Sequence, residues 1–366
     1  MLWRLPASVR TLACLAHRTY SVTATEALVP EPLRILFCGS DNFSSASLRA
    51  LTEAQRNIPD LIESIDVVHR PAKRTGRGLK FFREVPIKQV ATEELKLHTH
   101  VIDTFSGWAP PDPIDLIVAV SFGLFVPPRI LGLAKYGGIN VHPSLLPDLR
   151  GAAPIQRALL KRRERTGITI QTLHPERFDH GTILAQTPEP MTQIPRDITW
   201  PILEHQLASS GAQMLVDVLL SQKYIPPHQD VGWYAASNGP IDHAPKITKQ
   251  DRFIDFSQNT LEDMITIQQA LGNPWCILPN GERFIMHKVA PYNHPTALDQ
   301  LNTPDQPGIW IEEDLKEPLF RAACGSIGII ENSTYAGSAT NSGNAKIRKL
   351  FQVRDRQAET QSSIPV

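Results

Sequence analysis

Short apolar runs return along the first two thirds of the chain at Leu33–Cys38, Leu61–Val68, Asp115–Val120, Ile139–His142 and Ile168–Leu173, each closed by a turn-rich segment. Helical patterns fill the intervals at Ser44–Gln55, Val85–Leu97, from Ile130, at Ile155–Arg165 and, longest, at Thr199–Leu220. Asp115–Val120 is the kind of continuous apolar run that a strand buried on both faces needs. Strand then helix, repeated, predicts an α/β domain built on a parallel, doubly wound sheet. Thr182–Gln186 adds a further β-rich stretch, whereas Val101-Ile102 is too short to define one.

The pattern changes after Ile225-Pro226-Pro227, where Pro, Gly, Asn, Asp and Ser dominate and apolar positions thin out, as in a linker. Beyond it, a helix near Leu261–Leu271 is followed by β-rich runs at Trp275–Leu278, Phe284–Lys288, Gly308–Ile311, Leu319–Cys324 and Ser326–Ile330, spaced as in a small barrel. Asn332–Asn344 is poor in apolar residues and predicts a mobile loop before a basic end carrying Lys346, Arg348, Lys349, Arg354 and Arg356. The expected organisation is a leader over 1–30, an α/β domain over 31–223, a linker over 224–243 and a barrel over 244–356.

Composition sharpens this picture at three places. Lys plus Arg and Asp plus Glu both number 37, so attraction to a polyanion must come from local asymmetry. That asymmetry is strongest over His69–Arg83, where Arg70, Lys73, Arg74, Arg77, Lys80 and Arg83 occur without one acid and Gly76 and Gly78 loosen the backbone. Residues 1–25 hold Arg4, Arg10 and Arg18 among Leu and hydroxyl residues with no acid, the composition of an organelle transit peptide removed near Tyr20 and Ser21. Cys14, Cys38, Cys276 and Cys324 have no paired or zinc-binding spacing, so free thiols and no metal are expected. No apolar run approaches the roughly 20 residues that span a bilayer, and no membrane role is expected.

Chemistry concentrates between Gly137 and Ile155. Ile139 and Val141 alternate with Asn140 and His142, so one strand face is oily and the other carries an amide and an imidazole. Pro143 and Pro147 force the backbone out of the sheet just beyond, at a strand end where open α/β sheets keep their sites. Taken singly, such a His is more often a satisfied core residue, and Asp179, in a polar turn after another strand, is more often a turn-former. Only Gly39 follows the first strand where a dinucleotide fingerprint wants three glycines, which disfavours NAD or FAD.

Gly-Gly-Ile-Asn140-Val-His142-Pro-Ser144-Leu-Leu-Pro147, Arg150-Gly-Ala-Ala-Pro-Ile-Gln and Phe-Asp179-His-Gly181-Thr-Ile-Leu together resemble the formyltransferase family that uses 10-formyltetrahydrofolate. The likeness extends to Phe37-Cys-Gly-Ser, Thr75-Gly76-Arg77-Gly78-Leu-Lys80, Lys246-Ile-Thr-Lys and Asn273-Pro-Trp275, and fades after Pro291. It implies a Rossmann-like parallel-sheet formyltransferase domain followed by a small OB-like β-barrel domain. It places Asn140, His142 and Asp179 at the family's catalytic positions. An amide hydrogen of Asn140 would stabilise charge on the formyl oxygen, His142 would shuttle the proton, and Asp179 would orient it or accept the proton.

The resemblance also puts the folate beside Phe122, Gly123 and Leu124, with Ser144, Leu145 and Pro147 as pocket wall. The chain departs from the family at Pro71-Ala72-Lys73, where Pro-Asp-Arg is common, and at His180-Gly181-Thr182, where Thr-Gly-Asp is usual. Relatives with this core also hydrolyse the folate, or formylate nucleotides or amino sugars, and an idle triad would leave only an RNA-binding module. The basic loop, with Arg70, Lys73, Arg74, Arg77 and Lys80 as contacts, the basic second domain and the leader favour initiator methionyl-tRNA as the partner, met by a monomer in the mitochondrial matrix.

Overall fold

The computed structural model describes residues 31–293 and 301–351. The expected leader and its cleavage point fall outside these residues, as do Cys14, Arg354 and Arg356. In chain order the first part runs β1 (Leu33–Gly39), α1 (Asn42–Asn57), β2 (Ile62–His69), β3 (Lys73–Thr75), β4 (Phe81–Arg83), α2 (Pro86–Gln89), β5 (His98–Val101), β6 (Leu116–Val120), α3 (Pro128–Leu131) and β7 (Gly138–His142). It continues α4 (Pro154–Leu160), β8 (Arg165–Thr166), β9 (Thr169–Thr172), β10 (Ile183–Gln186), β11 (Thr192–Gln193) and α5 (Trp200–Leu220). Among the described residues no helix is long and apolar enough to cross a membrane.

The main sheet has the order β10-β9-β7-β6-β1-β2-β5. Its five strands from β7 to β5 are parallel, as the apolar runs predict for β1, β2, β6 and β7. β9 is antiparallel to β7 and β10 antiparallel to β9, so the sheet is mixed at that edge. The cause is local: after β7 the chain passes through the seven residues of α4 and re-enters beside the strand it has just left, pairing His142 with Thr169 and Asn140 with Gln171. Strand order reverses between β1 and β6, which opens a crevice beyond their carboxyl ends. Asp41 caps α1 there, its carboxylate accepting from Ser44 N at 2.9 Å.

Several local expectations need correction. The basic loop contains an antiparallel hairpin, β3 with β4, because Lys73-Arg74-Thr75 finds Phe81-Phe82-Arg83 across the glycine turn. β5 is an edge strand where none was expected, its backbone paired with β2. The predicted helix Ile155–Arg165 stops at Leu160, and Arg165 pairs with Gln193 instead.

In the second part α6 (Leu261–Leu271) opens with a capping box of Thr260 and Asp263, then β12 (Trp275–Ile277), β13 (Arg283–Pro291), β14 (Gly308–Trp310), β15 (Leu319–Arg321) and β16 (Ile327–Tyr335) follow. They form an antiparallel half-barrel in the order β12-β13-β16-β15-β14, around Met264, Phe284, Met286, Phe320 and Ile330. Residues 332–335 complete β16 and 343–351 are helical with Ile347 buried, so the expected loop survives only between them.

Arg157 pairs with Asp251 and Arg162 with Asp263, each at 2.7 Å, and Arg162 also lies 3.8 Å from Glu262, joining the parts. The segment over 224–243 lies pinned as a strap. Trp233 N and Tyr234 N donate to Gln186 Oε1 at 3.1 and 3.0 Å, and Leu149 N donates to the Asp242 carbonyl at 2.8 Å.

Candidate active site

The exits of β1, β6, β7 and β9 meet around a cavity of about 430 Å³, a size suited to a small-molecule ligand. Its walls include Asp41, Ser121, Phe122, Gly123, Leu124, Asn140, His142, Gly151, Gln171, Phe178 and Asp179. The strand face that carries Asn140 and His142 therefore opens inward. His142 is almost fully buried, and its Nε2 lies 3.1 Å from the Leu149 carbonyl, to which it donates. Its Nδ1 faces Asp179 Oδ1 at 3.4 Å. A carbonyl only accepts, so Nε2 carries the hydrogen here and Nδ1 is the nitrogen turned to the carboxylate.

Asp179 reaches this position through a left-handed backbone turn, φ +57°. Three donors hold it: Arg150 Nε on its carbonyl at 2.7 Å, Gly151 N on Oδ2 at 2.9 Å and Gln171 Nε2 on Oδ1 at 3.3 Å. Gly151 has φ +128° and the Ala244 carbonyl stands where a side chain would begin, so only glycine lets this amide reach the carboxylate. Asn140 donates from Nδ2 to the Ala119 carbonyl at 2.9 Å and accepts at Oδ1 from Gln171 Nε2 at 3.3 Å. Gln171 had not stood out in the sequence; the signal was present in its place two residues after Thr169, a second polar group on an inward strand face.

Of the expected folate contacts, Phe122, Gly123 and Leu124 line the cavity, and Ser144, Leu145 and Pro147 do not. Ser144 is fully buried behind the wall, its hydroxyl donating to the Asp148 carbonyl at 2.6 Å, and Leu145 packs inward with it. The turn is structural because its carbonyls and hydroxyls are spent on themselves and on Thr169. Among the expected tRNA contacts, Arg70 is tied to Asp103 at 2.5 Å, while Lys73, Arg74 and Lys80 are exposed on the hairpin. Arg74 lies 5.2 Å above the Phe82 ring.

Burial raises the Asp41 carboxyl above its usual range. On α5, burial together with the nearby Asp41 pushes Glu204 up to about 7. Away from the cavity, Asp66, His98 and His100 bring one ligand atom each within 4.8 Å of one another, with Asp66 already bonded to His98 Nδ1 at 2.9 Å. Of the described cysteines, Cys38 and Cys276 are buried and Cys324 is exposed.

Residues 33–219, just over half of the chain, match the family model described as Formyl transferase. The chain belongs to the formyl transferase family. This formyltransferase is 31% identical over 344 residues to the mitochondrial methionyl-tRNA formyltransferase of Saccharomyces cerevisiae, covering 81% of this chain and 84% of the relative. Identity is 35% over 243 residues with the mitochondrial enzyme of Bos taurus, covering 66% of this chain and 57% of the relative. With the methionyl-tRNA formyltransferase of Natranaerobius thermophilus it is 30% over 328 residues, covering 86% and 96%.

Solved structures agree in fold at low identity. HypX from Aquifex aeolicus in complex with tetrahydrofolic acid gives a TM-score of 0.52 at 15% identity, over 85% of this chain and 46% of that one. The sugar 3N-formyl transferase WlaRD gives 0.53 at 15%, over 85% and 100%.

Proposed function

We propose that this formyltransferase moves a formyl group from 10-formyltetrahydrofolate to the amino group of initiator methionyl-tRNA in the mitochondrial matrix. The observation that carries the proposal is the convergence of Asn140, His142 and Asp179 on one cavity, in a chain whose relatives are named methionyl-tRNA formyltransferases. The cavity suits the folate end of the reaction, with Phe122 and Leu124 offering apolar wall and the Ser121–Leu124 exit offering backbone groups.

In this reading the amine lone pair attacks the formyl carbon and charge passes to the formyl oxygen. Asn140 has spent one amide hydrogen on Ala119 and has a second to donate to that oxygen. One such donor contributes on the order of 3 kcal/mol in the transition state. The amine must then shed a proton, and folate N10 must gain one as the bond from carbon to nitrogen breaks. His142 Nδ1 and Asp179 Oδ1, 3.4 Å apart, form the relay that carries it, while Leu149 holds the other side of the ring.

The exposed cations and aromatic rings of the hairpin would meet the tRNA backbone and bases. All three triad residues come from one chain, so a monomer suffices. The test measures formyl transfer to charged initiator tRNA alongside folate hydrolysis. Hydrolysis at one rate with or without methionyl-tRNA would overturn the reading.

A further inference from the structure

Gln171 is buried on β9, opposite Asn140 in the antiparallel register. Its amide makes three contacts and leaves no choice of orientation. Nε2 lies 3.3 Å from Asn140 Oδ1 and 3.3 Å from Asp179 Oδ1, and Oε1 accepts from Gly181 N at 3.0 Å. Flipping the amide would set its oxygen against two acceptors and its NH₂ against a backbone N–H. Gly181 is fixed in turn, because the Thr172 carbonyl stands where a side chain would begin.

The geometry points to Gln171 as a positioning residue that sets the two halves of the formyl-transfer site against each other. This inference rests on the function proposed above and goes beyond it. By donating to Asn140 Oδ1, Gln171 fixes which end of that amide is oxygen, and so keeps Nδ2 as the end that donates toward the cavity. By donating to Asp179 Oδ1, it holds the oxygen that faces His142 Nδ1. Without it, the Ala119 carbonyl alone holds the Asn140 amide against rotation, and the Asp179 carboxylate loses its one side-chain donor, Arg150 being spent on the Asp179 carbonyl. Gln171 also lines the cavity, but its polar atoms are spent on Asn140, Asp179 and Gly181, so it acts on the reacting groups through these residues.

Three measurements on the full chain test this. Gln171→Met keeps volume and removes all three bonds; it should lower kcat roughly 10- to 100-fold, the scale of a misplaced catalytic group, with KM for folate and for tRNA changed by less than about threefold. In an Asn140→Ala background the same substitution should cost less than about threefold, because its main target has gone. Gln171→Glu keeps the shape and the acceptor for Gly181. Its activity should be lowest where the introduced carboxyl is ionised and should recover partly as acid restores a donor. Full additivity of the first two substitutions, or a wild-type pH profile for Gln171→Glu, would overturn the inference.

A readout that needs no acceptor separates this result from failure of the function. His142 is followed by the NMR resonances of its ring in the free protein, where Gln171→Met should move them and leave those of exposed His205 in place. An unmoved His142 refutes the positioning role, even if the wild-type chain proves to formylate nothing.

Discussion

Asp179 and Lys80 are both polar residues in turns just outside β-structure, yet the protein treats them in opposite ways. Asp179 is held by Arg150 and Gly151 from one turn and by Gln171 from β9, and it faces His142 at the end of β7. Lys80 sits with Arg74, Phe81 and Phe82 on a short hairpin that stands open, with Phe81 70% and Phe82 66% exposed. Desolvated groups must be paired and aimed before a reaction, because a misplaced dipole in a low-dielectric site is costly. Groups that meet a large polyanion gain from reach and can order on contact. The same residue types therefore acquire precision in one region and latitude in the other.

The sharpest way to break this comparison is at the precise end. Asn140→Ala should reduce kcat by about 100-fold or more with the fold intact; turnover near wild type by single-turnover assay would remove Asn140 from the chemistry. At the other end, Arg77→Gln with Lys80→Gln should leave kcat at saturating tRNA unchanged. The same pair should flatten the salt dependence of tRNA binding by roughly one unit per lost phosphate contact. An unaltered slope in binding titrations over a range of salt would return the hairpin to a merely solvated loop.

A third test concerns Glu204, whose carboxyl is raised to about 7 by burial and by Asp41. Below its ordinary value near 4.5 both folded and unfolded states hold the proton. Above that value the unfolded chain ionises first, so the residue destabilises the fold increasingly up to about pH 7 and steadily beyond. Glu204→Gln should therefore match wild-type Tm near pH 4 and exceed it by a few degrees at pH 8; a constant gap in thermal scans would refute the shift. The smallest effect is expected from Phe81→Ser with Phe82→Ser, which should change unfolding free energy by no more than about 0.5 kcal/mol each in urea titrations. A larger loss would show that the hairpin is anchored after all.

The same contrast explains what the sequence revealed. Asn140 and His142 were legible because period-two alternation and two prolines are local signals, and the parallel strands were legible as continuous apolar runs. β9 was legible as a strand but not in its direction, which depends on where the short α4 turn returns the chain. Gln171 was hidden for that reason, since its value lies in facing Asn140 across a register that no local pattern encodes. Ser144, Leu145 and Pro147 misled because a turn beside reactive groups looks like a pocket wall until its hydroxyl is seen to bond Asp148. β5 escaped notice because an edge strand with His98, Thr99 and His100 has no apolar run to announce it.

The strap has a consequence for the order in which the enzyme comes into being. Leu149 gives its carbonyl to His142 and its amide to Asp242, and Ala153, just past Gly151, gives its amide to the Ala244 carbonyl. A nascent chain released through residue 223 already contains every member of the triad, but not Asp242 or Ala244, which brace the turn that holds His142 and Asp179. The braces Asp242 and Ala244 thus emerge 63 and 65 residues after Asp179, so an unfinished chain lacks the contacts that brace this turn while it is still being made.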